Sequence, residues 1–124
     1  MHHEACIRRE DVRELEAQEL PDAVMRTIGG KIMSNLDVAD HFGYEIQSEQ
    51  LVEECAELIQ AVNKYRRARG AGQPTALSEE AAFGNLVEEI ADVESMLEQI
   101  KYLLKIPQEM IDGIKAVKTE RIRI

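Results

Sequence analysis

A chain of 124 residues carrying a formal net charge of −9 and only 4% aromatic residues is sized for one domain. It lacks the cationic surface and stacking rings that nucleic-acid binding requires. Its 44% hydrophobic and 31% charged residues form an ordinary folded-protein balance, and no apolar run is long enough to span a bilayer.

Two cysteines, Cys6 and Cys55, lie far apart and in no metal-ligand spacing, which argues against a disulfide framework. Residues 1–9 contain no signal-peptide core, so the expected setting is a reducing cytoplasm. A chain this short buries a modest core, and self-association would add to it.

In chain order, residues 10–20 are charged and predict a surface helix ending before Pro21. Met25, Ile28, Ile32, Met33, Leu36 and Val38 form a loosely amphipathic stretch interrupted at Gly29-Gly30. Met33 is a second potential start, so residues 1–40 are read as an accessory extension and residues 41–124 as the functional domain. His41-Phe42-Gly43 reads as a turn, and Ser48 as the N-cap of a long helix over residues 49–69. Residues 70–75 are rich in glycine and end in Pro74-Thr75, which predicts a loop.

After a short helical turn over residues 79–83, Gly84 is expected to break the chain. Asn85, with Glu88 three residues later, then resembles a capping box opening a second long helix to about residue 104. Pro107 suits the first turn of a last helix, carrying Met110, Ile111, Ile114 and Val117. No segment alternates with a period of two, so the fold class expected is all-α: a helical bundle of two long helices plus a C-terminal one.

The two long helices carry a near-repeat. Leu51-Val52-Glu53-Glu54-Cys55-Ala56-Glu57-Leu58 is matched by Leu86-Val87-Glu88-Glu89-Ile90-Ala91-Asp92-Val93. At 100° per residue, Leu51, Cys55, Leu58 and Val62 form an apolar stripe on the first. Glu54 falls inside that arc, Glu57 at its edge and Glu53 outside. Around Leu86, Ile90, Val93, Leu97 and Ile100 the second helix repeats the arrangement with Glu89 inside, Asp92 at the edge and Glu88 outside.

An ionised carboxylate facing a core is costly unless it is paired or bound to metal. Four acids converging would repel one another, and a divalent cation removes the conflict. Oxygen-only ligands favour Mg²⁺ or Mn²⁺ over zinc or copper. One Glu-x-x-Glu pair alone is common on a solvated helix face, whereas two copies in the same phase against an apolar stripe are harder to dismiss. The bland alternative is a salt-bridged core with Lys118 and Arg121 as the partners. These two cations lie on the same side of the last helix as Met110, Ile111 and Val117. They suit either a clamp on phosphate or stems that cover the core while their heads reach water. The three histidines, His2, His3 and His41, are not spaced as metal ligands, which counts against a di-iron bundle.

At these two acid motifs the sequence looks like the MazG-like, all-α nucleotide pyrophosphohydrolases, over residues 41–121. The resemblance implies that Glu54, Glu57, Glu89 and Asp92 are the metal ligands and catalytic residues, with Mg²⁺ as the cofactor and Mn²⁺ as a substitute. It implies hydrolysis of a nucleoside triphosphate, between its α- and β-phosphates, to the monophosphate and pyrophosphate. It also implies a homodimer or homotetramer and a role in cleansing the nucleotide pool.

Two features depart from the group: the segment between the motifs is lengthened at residues 69–84, and Gln50 stands where many members carry a lysine. The phosphoribosyl-ATP pyrophosphatases are similar in fold and motifs, but they commonly place a histidine shortly after the second motif. Here Glu94-Ser95-Met96-Leu97-Glu98 occupies that place, so this reading ranks second. The non-enzymatic reading is a helical interaction module whose acids are structural.

Overall fold

The computed structural model describes residues 26–28 and 31–122, with side chains from residue 33 onward. Most of the extension, including the surface helix expected over residues 10–20, lies outside the described residues. The described chain runs from two short strands, β1 (Arg26–Ile28) and β2 (Lys31–Met33), into three helices, α1 (Asn35–Ala68), α2 (Glu79–Leu103) and α3 (Gln108–Arg121).

The strands pair antiparallel, with Thr27 opposite Ile32. This hairpin stands where a loosely amphipathic stretch interrupted at Gly29-Gly30 was expected. Three residues per strand are too few for a two-residue period to show. All other regular structure among the described residues is helical.

The first helix begins earlier than its sequence suggests. Ser34, in extended conformation, accepts a bond from the Asp37 amide through its hydroxyl, while the Asp37 carboxylate accepts from the Ser34 amide, each at 3.2 Å. This reciprocal capping box satisfies amides that no helical carbonyl can reach. Ser48, the expected cap, lies inside α1, where its hydroxyl donates to the Glu45 carbonyl at 3.0 Å. The boundary read between residues 40 and 41 also falls inside α1. Val38 and Ala39 are among the most buried side chains, because the end of the presumed extension supplies apolar contacts that α2 needs.

The turn expected at His41-Phe42-Gly43 is real, but helix continues on both sides of it. Gly43 (φ 81°, ψ 172°) interrupts α1 with a backbone conformation that a side chain would penalise. Partners of α1 show that the chain reverses there. Before the kink, Asn35 bonds to Ser95 and Glu98 and Asp40 accepts from Tyr102, a rising order along α2. Beyond it, Gln47 meets Gln99, Tyr65 meets Phe83 and Arg69 meets Glu79, a falling order. Residues 35–42 therefore run parallel to α2 and residues 44–68 antiparallel to it. The Asp40 carboxylate, accepting the Tyr102 hydroxyl at 2.8 Å, raises that phenol above its ordinary value of 10.0.

At the end of α1 the Gly70 amide bonds to the Arg67 carbonyl and the Ala71 amide to the Arg66 carbonyl. With Gly70 at φ 96°, this is a Schellman stop, and it opens the predicted loop. Ser78 caps α2, accepting from the Ala81 amide at 3.1 Å. Neither the break at Gly84 nor the cap at Asn85 occurs; both residues lie inside α2. One exposed helical glycine costs about 1 kcal/mol, a cost the helix tolerates while its inner side buries Ala82. A second Schellman stop, with Lys105 at φ 56°, ends α2 and leads to Pro107, which stands at the cap of α3 rather than inside it.

The packed centre lies between α1 and α2, and α3 has no buried residue. Among the described residues six apolar side chains are buried, Val38, Ala39, Ala61, Ala82, Val93 and Met96, against five polar ones, Gln47, Gln50, Glu54, Glu89 and Gln99. A core so polar is held by directed bonds as much as by apolar burial. The interface is also rotated from the predicted stripes: Leu51, Cys55 and Leu58 are half-buried, and Val62, Ile90 and Leu97 are exposed. No helix among the described residues is long and apolar enough to cross a membrane.

Candidate metal centre

Gln47, Gln50, Glu54 and Ala61 follow one another at helical spacing down the inner face of α1, and all are buried. Opposite them α2 turns Glu89 and Asp92 inward, three residues apart and so on one side of the helix. Glu54 (5% exposed), Glu89 (1%) and half-buried Asp92 form one group, with one carboxylate oxygen of each within 4.8 Å of the others. Three hard oxygen donors from two helices, two of them nearly sealed from water, make a group that could hold a metal ion.

Of the four acids read from the motifs, the structure brings these three together. Glu57 is exposed one turn beyond Glu54 and is not in the group. Glu53 is exposed, as its phase implies, while Glu88, expected to face outward, is half-buried. Lys118 and Arg121 are exposed on α3, where they line a groove with Met110, Ile114 and Val117. His41 is exposed and packs its ring edge-to-face on Phe42 at 4.6 Å. Cys55 is a half-buried free thiol.

Motif spacing did not reveal the amides that support the acids. Asn35 Nδ2 donates to the Ser95 carbonyl at 3.0 Å and to Glu98 Oε1 at 2.7 Å. Its Oδ1 accepts from Gln99 Nε2, and Gln99 Oε1 accepts from Gln47 Nε2, both at 2.7 Å. Gln50 Nε2 donates to Glu54 Oε1 at 3.4 Å. The usable signal was phase: Gln47 and Gln50 stand seven and four residues before Glu54, on the same face of the helix.

Comparison with protein-family models, curated proteins and solved structures returned no match. The functional reading therefore rests on the geometry of the acids and on the resemblance of their motifs.

Proposed function

We propose that the chain is a Mg²⁺-dependent nucleotide pyrophosphohydrolase of the MazG-like kind, cleaving a nucleoside triphosphate to the monophosphate and pyrophosphate. The observation that carries this reading is the convergence of Glu54, Glu89 and Asp92 from two helices that repeat the same acid motif. A bound divalent cation would neutralise phosphate oxygens and activate or orient the attacking water. Glu54 and Glu89, fixed by burial, would hold the cation, and Asp92, half-open to solvent, would stand on the entry side. Glu57, exposed one turn from Glu54, is placed to turn in as a fourth ligand or to accept the water's proton.

The partner is a second copy of this chain, as a homodimer or homotetramer. Val87, Ile90, Leu97 and Leu104 are exposed along α2, and Val52 and Ile59 along α1. From Val87 to Leu104 the apolar row extends roughly 25 Å at 1.5 Å per residue. The chain's own α3, with 14 residues, is about 21 Å long and too short to cover it. In such an assembly the phosphate role of Lys118 and Arg121 requires α3 to reach an acid cluster, its own or the partner's.

The test is release of pyrophosphate from a panel of ribo- and deoxyribonucleoside triphosphates and phosphoribosyl-ATP, with and without Mg²⁺. Expected is Mg²⁺-dependent release from at least one nucleoside triphosphate, lost by at least about 100-fold in Glu89→Gln and kept within about threefold in Glu53→Ala. Release from phosphoribosyl-ATP alone would favour the histidine-pathway reading. No release from any substrate by folded protein would leave the interaction module.

A further inference from the structure

The amides beside the acid cluster have a fixed polarity. Asn35 gives its Nδ2 hydrogens to a main-chain carbonyl and a carboxylate, neither of which can donate in return. Its Oδ1 must then accept from Gln99, and Gln99 Oε1 must accept from Gln47. The chain of bonds therefore leaves Gln47 presenting an oxygen. That Oε1 is buried and has no hydrogen-bond partner among the described residues.

Gln50 is in the same condition one turn nearer the acids. With the Glu54 carboxylate accepting from its Nε2, the free atom of Gln50 is again an oxygen, buried and without a partner among the described residues. Gln47 is 0% exposed and Gln50 5%, so bulk water does not supply the missing donors.

The buried Gln50 oxygen, on a side chain bonded to Glu54, adds an acceptor beside the three carboxylates and makes a region of acceptors. A hydrated divalent cation is the complement to such a region. A water bound through its lone pair to the ion has only hydrogens left to offer, and Mg²⁺ characteristically keeps several of its waters.

We propose, resting on the metal-centre reading above, that Gln50 is a positioning residue of that centre. Its Nε2 holds the Glu54 carboxylate in orientation, and its Oε1 accepts from a water in the cation's coordination shell. Gln47, held by Gln99, is the next acceptor on the same face. This role sets Gln50 apart from a residue that merely fills space between the helices, because it ties the amide to ion affinity rather than to folding. It also accounts for a neutral side chain there: a carboxamide offers a donor to the ligand and an acceptor to the water.

The experiment is titration of Mn²⁺ into the full chain, by calorimetry or by the loss of the free-ion electron-spin signal. Wild type, Gln50→Met and Gln50→Glu are compared, with thermal melting of each in chelator. Methionine keeps the length but removes both polar atoms, and it is expected to weaken Mn²⁺ binding by about 10–100-fold, the range for lost outer ligand partners. Its ion-free melting temperature should stay within about 3 °C of wild type. Glutamate keeps an oxygen toward the water but loses the donor to Glu54, so it should recover only part of the lost affinity. Wild-type affinity in Gln50→Met overturns the proposal while leaving the metal centre standing. A loss of affinity matched by a large fall in ion-free melting temperature, with no recovery in Gln50→Glu, overturns it as well. Failure of the wild type itself to bind Mn²⁺ is a separate result that removes the centre and this role together.

Discussion

Gln99 shows how much one side chain carries in this core. It is almost fully buried, donates to Asn35 and accepts from Gln47, both at 2.7 Å, so it joins the first turn of α1, the middle of α1 and the end of α2. Gln99→Leu leaves a donor on Gln47 and an acceptor on Asn35 unpaired. Because a stranded buried polar group costs about 1–3 kcal/mol and two are stranded, the expected loss is about 2–6 kcal/mol in urea unfolding at fixed protein concentration. Adding Gln47→Leu removes one of the stranded groups, so the double variant should be less destabilised than the sum of the two single ones. Additive losses would show that the amides act independently. At the same scale, the depth of Glu54 and Glu89 was legible from their phase against the apolar positions. The exposed state of Glu57 was not, because a helical wheel cannot say where the neighbouring helix ends its contact.

At the scale of the element, two glycines with opposite meanings make a pair of predictions. Gly43 has φ 81° and ψ 172°, and a Cβ there would meet nothing within 4 Å. Any cost of Gly43→Ala is therefore a backbone cost, about 1–3 kcal/mol for a conformation so sparsely populated by other residues. Gly84 lies in regular helix, where a Cβ again meets nothing within 4 Å. Gly84→Ala should gain up to about 1 kcal/mol from helix propensity alone. Denaturation of the two variants checks both signs, and a stabilised Gly43→Ala would show that the reversal of α1 does not depend on that torsion. The kink matters to the site because it folds residues 35–42 back along α2, where Asn35 can anchor the amide chain.

For the whole molecule, the apolar rows left open on α1 and α2 are the main determinant. A helical layer buries its apolar side only against a second layer, and here α1 and α2 supply one long layer. Leu97, 44% exposed, sits in the middle of the α2 row. Leu97→Arg is expected to shift the protein to a lower mass in sedimentation at micromolar concentration and to lower its melting temperature. A wild type that sediments as a monomer would show instead that something other than a second copy covers these rows.

What the sequence by itself determined is local: helices as the dominant structure, the breaker-rich loop after α1, the turn at Gly43 and the inward phase of Glu54 and Glu89. Each of these depends on spacing, torsional freedom or turn chemistry within a few neighbouring residues. Helix starts at Ser34 and Ser78 were misplaced because Ser48 and Asn85 also have capping chemistry. Choosing among them depends on Val38, Ala39 and Ala82 being buried against another helix. The tertiary structure alone decided where the edges of each inner face fall. It placed Gln47, Gln50 and Gln99 inside and left Ile90 and Leu97 outside. A periodic pattern marks an apolar arc, but which edge of that arc meets the partner helix is set by the packing of the two helices and by the polar bonds between them.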